Sequence, residues 1–191
     1  TKIWTDTFRN GQFALNNTNK LIRHYSGTVG LKTGFTSKAG YCLSAVVKRD
    51  NLTLISVVLG APDSNTRFAE TRKLQDYGFA NFEHTVLETK NTEVGPIEVR
   101  KGIDMEVQGI IKEDVTVMLK KGSKERIERR MNLEPYLTAP VEAGQKVGEI
   151  TYILDGNEIA KVEVVTAQAV EKASFIKLFI RMVLEWFGIN K

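Results

Sequence analysis

Apolar and polar positions divide the chain into three stretches of different period. Tyr41–Val47 and Leu52–Leu59 are two short apolar runs parted by Lys48-Arg49-Asp50-Asn51, which predicts a β-hairpin. The second run is apolar at successive positions and therefore on both faces, the pattern of a central, covered strand. After Pro62, the group Asp63-Ser64-Asn65 offers helix N-caps. Phe68, Thr71, Leu74, Gln75, Phe79 and Phe82 then recur on one side of a helix, a side expected to pack on the sheet. Residues 1–83 therefore read as α/β.

Residues 84–168 carry fewer aromatics and shorter alternating runs. "PIEVRKGIDMEV", "DVTVML", "KVGEITYIL" and "IAKVEVVTA" each fit a strand, and Asp155-Gly156 between two of them is a strong hairpin signal. Several strands with no helix between them predict a small β-sandwich.

Residues 169–191, "AVEKASFIKLFIRMVLEWFGINK", are helical in pattern with one narrow polar stripe, Lys177, Arg181 and Glu185. Phe175, Phe179, Met182, Trp186 and Phe187 belong to the wide apolar arc opposite. An arc that wide is rare on a globular surface helix, and the charges in its middle argue against a spanning segment. A helix lying in a bilayer interface, with Trp186 at headgroup level, fits the pattern best. Docking on another subunit or domain is the alternative.

Composition narrows the picture only slightly. The 191 residues are 42% hydrophobic and 26% charged, with a net charge of +4, ordinary for a globular protein and compatible with an acidic polymer or lipid surface. Basic residues are interleaved with acids, and no basic helix or aromatic RNA-binding motif is present, so no nucleic-acid partner is expected. Cys42 is the only cysteine; no intrachain disulfide can form, and a lone thiol in an apolar strand reads as a small core residue. No phosphate loop, metal-ligand cluster or paired catalytic acids stand out, so no cofactor or metal is expected.

The stretch "VGLKTGFTSKAGYCLSAVV", Val29–Val47, places a cation, hydroxyls and glycines where a strand begins. Lys32-Thr33-Gly34 alone is a weak signal, readable as a strand with one solvated lysine. Its setting strengthens it: Thr36, the small pair Ala39-Gly40, then a buried strand and a helix. A lysine ammonium beside a threonine hydroxyl suits a carboxylate. A glycine lets a ligand backbone approach the strand edge, and an extended substrate can then add as a further strand.

This segment resembles the Lys-Thr-Gly motif of penicillin-binding proteins and serine β-lactamases. "GLKTGFTSKAGYCLSA" followed by "RFAETRKLQDYGFANFE" is similar to the D-alanyl-D-alanine carboxypeptidases, the low-molecular-mass penicillin-binding proteins of bacteria. "NNTNKLI", "PVEAGQKVGEI", "ILDGNEIAKVEVV" and the amphipathic tail resemble their other segments. The resemblance implies the C-terminal part of a transpeptidase-like catalytic domain at 1–83, a small β-rich domain at 84–168 and a membrane-anchor helix at 169–191. It implies a serine-type carboxypeptidase that removes the terminal D-Ala of peptidoglycan stem peptides through an acyl-enzyme and binds β-lactams. Its place would be the extracytoplasmic face of the bacterial cell membrane, held peripherally.

Carried over by matched position, Lys32 and Thr33 hold the terminal carboxylate, Gly34 gives clearance, the Phe35 backbone N–H is an oxyanion donor and Thr36 supports the substrate. The family's nucleophile lies in a Ser-x-x-Lys motif. Here the only such spacing is Ser174 to Lys177, on the tail helix and unsuited to catalysis. The chain alone is therefore expected to be inactive, with the remainder of a catalytic domain as a further partner. A DD-endopeptidase or β-lactamase on the same fold, or a non-catalytic wall-binding module, are the alternatives. Two positions depart from the pattern: Val29 stands where relatives often have Asp, and Thr18 where some have Arg.

Overall fold

The computed structural model describes residues 2–188, apart from the side chain of Glu185, whose place in the tail stripe lies outside the described residues. The chain forms two compact units. One runs to His84 and includes Met118–Lys121; the other takes Thr85–Val117 and the chain from Gly122 onward.

The first unit opens with a hairpin of β1 (Thr5–Phe8) and β2 (Phe13–Asn16), then a short helix α1 (Leu21–His24). Strands β3 (Thr28–Thr36), β4 (Gly40–Arg49) and β5 (Leu52–Ala61) form an antiparallel sheet in that order, with β4 central. The hairpin is tighter than expected: Arg49 pairs with Leu52, so only Asp50 and Asn51 turn. Helix α2 (Ser64–Asn81) follows and packs across β4 and β5. Its N-cap is Asp63, whose carboxylate accepts from the Asn65 and Thr66 N–H groups at 2.8 and 3.0 Å.

Two expectations fail here. β5 is an edge strand rather than a central one: Ser56 is buried beneath α2, but Ile55 and Leu59 are 70% and 74% exposed. Apolar residues on both faces marked two apolar surfaces, of which the described residues cover one. On α2, the face towards the sheet is Arg67, Phe68, Thr71, Gln75 and Gly78. Leu74 is exposed and Phe82 has already left the helix. The buried positions follow steps of three and four residues from Arg67 to Gly78, and polar Gln75 is admitted because its Nε2 donates to Ser56 Oγ at 2.8 Å.

The remaining strands are β6 (Phe82–Glu88), β7 (Glu93–Arg100), β8 (Glu106–Ile111), β9 (Val115–Lys120), β10 (Ile127–Leu133), β11 (Tyr136–Thr138), β12 (Lys146–Leu154) and β13 (Asn157–Thr166), all in the second unit except the start of β6 and the end of β9. Six of them make one sheet in the order β10-β12-β13-β8-β7-β11; β6 and β9 are not part of it. The expected β-rich region is present. The run "PIEVRKGIDMEV" is two strands joined at Lys101–Met105, and β10 and β11 carry no clear alternation in sequence. Asp155 and Gly156 turn the β12–β13 hairpin with φ of 51° and 82°, the left-handed values such a two-residue turn requires. Val107, Ile111, Val147, Ile150 and Val164 form the centre of the core.

The chain closes with α3 (Phe175–Trp186). Its polar stripe is held by its own unit: Arg181 donates to the Gly102 and Ile103 carbonyls at 2.9 and 2.7 Å, and Lys177 to Ile103 at 3.3 Å. Phe175, Phe179, Met182, Trp186 and Phe187 remain exposed. Among the described residues no helix is long and apolar enough to cross a membrane.

Candidate substrate-binding site

β3 carries all five residues singled out around the lysine. It pairs with β4 on one side only, in the register Lys32 to Ser44, Thr33 to Leu43, Gly34 to Cys42, Phe35 to Tyr41 and Thr36 to Gly40. Its other edge meets no strand among the described residues, so the motif lies on an open edge of the sheet.

Within the strand, each residue has a distinct local role. Lys32 is exposed, and its ammonium folds back to donate to the Thr33 carbonyl at 2.7 Å. A flexible four-carbon stem held by one backbone contact can exchange that contact for an incoming anion. Thr33 is 8% exposed, and its hydroxyl oxygen stands 2.7 Å from that of Thr18. A Cβ built on Gly34 would meet only the Cys42 Cβ, at 3.9 Å, so neighbouring side chains do not require a glycine there. Phe35 is exposed and rests on Tyr41 with ring centroids 4.3 Å apart. The Thr36 hydroxyl oxygen accepts from the Ala39 N–H at 3.0 Å and so closes the β3–β4 turn. Cys42 is half-buried beside the site, not in the core, and its thiol donates to the Ala39 carbonyl at 3.6 Å.

Arg67 belongs to this site and was not singled out from the sequence. It is 6% exposed. Its Nη1 donates to the carbonyls of Gly34 and Cys42 at 3.2 and 3.3 Å, and its Nη2 to Ser64 Oγ at 3.1 Å. The guanidinium also lies over the rings of Tyr41 and Phe68, at 5.4 and 4.7 Å. One cation in the first turn of α2 thus ties the motif strand to its neighbour. The signal was available: position 67 falls on the buried stripe with 68, 71, 75 and 78. A charged residue on a core face asks which acceptors it pairs with.

The Ser174-to-Lys177 spacing has a structural explanation, since Ser174 Oγ accepts from the Lys177 N–H at 3.4 Å at the start of α3. Among the described residues no group of three or more His, Cys, Asp or Glu side chains is placed to hold a metal ion.

Comparison with known proteins gives this arrangement a context. Residues 1–63 match the family model described as D-alanyl-D-alanine carboxypeptidase, and residues 82–172 match that of the penicillin-binding protein 5 C-terminal domain. D-alanyl-D-alanine carboxypeptidase DacF of Bacillus subtilis is 32% identical over 92% of this chain and 45% of its own length. DacA of Haemophilus influenzae is 36% identical over 84% of this chain and 42% of its own. The crystal structure of penicillin binding protein 5 from Haemophilus influenzae superposes with a TM-score of 0.71 at 32% identity, covering 90% of this chain and 50% of that one. The peptidoglycan synthesis regulatory factor PBP3 from Streptococcus pneumoniae gives 0.60 at 26% identity, over 89% of this chain and 51% of that one. The chain thus spans about half the length of the curated relatives it matches. Over both matched regions the chain is similar to D-alanyl-D-alanine carboxypeptidases of the penicillin-binding protein 5 type.

Proposed function

We propose that this chain supplies one wall of the active site, together with the β-rich region and tail helix, of a serine-type carboxypeptidase. Its substrate is a peptidoglycan stem peptide ending in D-Ala-D-Ala, and β-lactams occupy the same site. The observation that carries this reading is Lys32-Thr33-Gly34 on an open strand edge, with a glycine that neighbouring side chains leave unexplained.

A stem peptide laid along β3 as an added strand brings its terminal carboxylate to the Lys32 ammonium and the Thr33 hydroxyl. Gly34 admits its backbone. The Phe35 N–H stabilises the oxyanion when the nucleophilic serine, contributed by the remainder of the catalytic domain, attacks the penultimate D-Ala carbonyl. The new ester bond replaces the peptide bond, D-Ala leaves with the proton it needs as an amine, and water hydrolyses the ester. The exposed apolar side of β5 is a surface for that remainder to cover.

Attachment to the extracytoplasmic face of the membrane is peripheral in this reading, through the exposed apolar arc of α3.

Lys32→Ala in the complete enzyme tests the site. Loss of a charge-assisted bond to a carboxylate costs about 1.5–3 kcal/mol, so kcat/KM for D-Ala release falls by about ten- to more than a hundredfold. Because Lys32 is exposed, the thermal midpoint stays put. Unchanged turnover removes Lys32 from the site.

A further inference from the structure

Thr18 is not part of the sheet, yet its hydroxyl meets that of Thr33 on β3. Thr18 lies in the turn after β2, fifteen positions from Thr33 along the chain, and their hydroxyl oxygens are 2.7 Å apart. That is the usual O–H···O distance, so one proton lies between them. The turn is built to hold Thr18 there. On one side Asn17 Nδ2 donates to the Ile3 carbonyl at 3.1 Å, and on the other Asn19 is buried. Asn17 Oδ1 accepts from the Asn19 N–H at 2.9 Å, and Asn19 Oδ1 from the Leu21 N–H at 3.2 Å.

A threonine hydroxyl has one proton to give and two lone pairs with which to accept. If Thr33 gives its proton to Thr18, it turns lone pairs towards an incoming carboxylate, which is itself acceptor-only. If Thr18 gives its proton to Thr33, the Thr33 proton is free for the carboxylate, and each bond in the chain polarises the next. An anionic ligand end selects the second direction.

We infer that Thr18 is a positioning residue: its hydroxyl donates to Thr33 and aims the Thr33 proton at the carboxylate end of the ligand, so that the pair favours a carboxylate over a terminal amide. This rests on the proposed role of Thr33. A carboxamide does not need that direction, because it brings both a donor and an acceptor and can meet either orientation of the hydroxyl pair.

The test uses the complete enzyme and two probes, a stem-peptide mimic ending in D-Ala-D-Ala and its C-terminal amide. Thr18→Val keeps the shape and removes the donor; Thr18→Ser keeps the donor. In Thr18→Val, kcat/KM for the free acid falls by about tenfold with most of the change in KM, because the contact acts in both ground and transition states. The preference for acid over amide narrows by the same factor, and Thr18→Ser restores it. An undiminished preference in Thr18→Val overturns the inference, as does equal loss on both probes in the Val and Ser variants, which would mark a purely structural role. Thr18→Ala gives a second donor-free variant should Thr18→Val fail to fold. Lys32→Ala is run alongside: full turnover there overturns the proposed site itself, whereas a crippled Lys32→Ala with a wild-type Thr18→Val overturns only the role of Thr18.

Discussion

Gly34 separates folding from function at a single atom. Its φ is not in the left-handed region, and an added methyl finds ordinary contact distance to Cys42. Gly34→Ala is therefore expected to leave the thermal midpoint within the change a neutral surface substitution makes, about 0.5 kcal/mol. In the proposed site of the complete enzyme the same methyl would meet a β-lactam laid against β3, and labelling by fluorescent penicillin should fall at least tenfold, an estimate from the cost of overpacking a contact. Undiminished labelling of the Gly34→Ala enzyme would show that nothing approaches the strand there. At this scale the sequence made Lys32, Thr33 and Gly34 legible because their residue types serve ligand chemistry better than a strand. It did not reveal Arg67, whose acceptors are the backbone carbonyls of Gly34 and Cys42. Backbone carbonyls are the same in every sequence, so only the fold can say which of them a cation meets.

Two helices carry element-scale predictions. Asp63 caps α2, and its hydrogen bond with the Thr66 hydroxyl, followed by that with the Thr66 N–H, holds its carboxyl below the usual range. A lowered folded-state pKa means stabilisation that is present above the unfolded carboxylate's titration and lost as pH falls through the folded value. Asp63→Ala should lower the thermal midpoint at neutral pH and lose most of that effect in acid, as followed by circular dichroism; an equal loss at both pH values would sink the capping account. In α3 the basic residues Lys177 and Arg181 donate to the Gly102 and Ile103 carbonyls, while the apolar arc is exposed. Charge attraction gives about 1 kcal/mol per basic residue near an anionic surface, and each deeply buried large apolar side chain about 1.5–3 kcal/mol. Vesicle co-sedimentation should therefore survive high salt, which screens charge, and fail after Phe179→Asp. Binding that disappears with salt alone would overturn the interfacial reading.

Across the whole molecule, the surface charges on β12 and β13 act as one lattice. Glu163 pairs with Lys112 and Lys146 at 2.5 and 3.0 Å, and Glu149 with Lys161 at 2.6 Å. Lys112 and then Lys146 lower the pKa of Glu163, and Lys161 that of Glu149. Their contribution is present above the ordinary carboxylate value of 4.5 and is lost as pH falls through the lowered folded values. In the first unit Tyr25 is pushed up from 10.0 to about 12, by burial first and then by its hydrogen bond to Asp76. The sign is opposite: that contribution is complete below pH 10 and disappears as pH rises towards 12. Thermal scans across pH should show Glu163→Gln losing stability near neutrality but little in acid, and Tyr25→Phe losing less at high pH than at pH 7. A Glu163→Gln deficit that does not change with pH would remove the lattice from the account.

The division between sequence and structure follows from the range of the forces involved. Local rules fixed what depends on neighbours along the chain: a helix cap within Asp63-Ser64-Asn65, the Asp155-Gly156 turn, a hairpin turning within Lys48–Asn51, and the wide apolar arc of the tail. They also brought Lys32, Thr33, Gly34, Phe35 and Thr36 together, because consecutive residues on one strand cannot be separated. What depended on distant partners was left to the tertiary structure. Whether the second apolar surface of β5 is covered, where Arg67 finds its acceptors, and that Thr18 meets Thr33 fifteen positions away are decided by which surfaces the sheet brings within hydrogen-bonding or van der Waals reach, distances that no local pattern encodes.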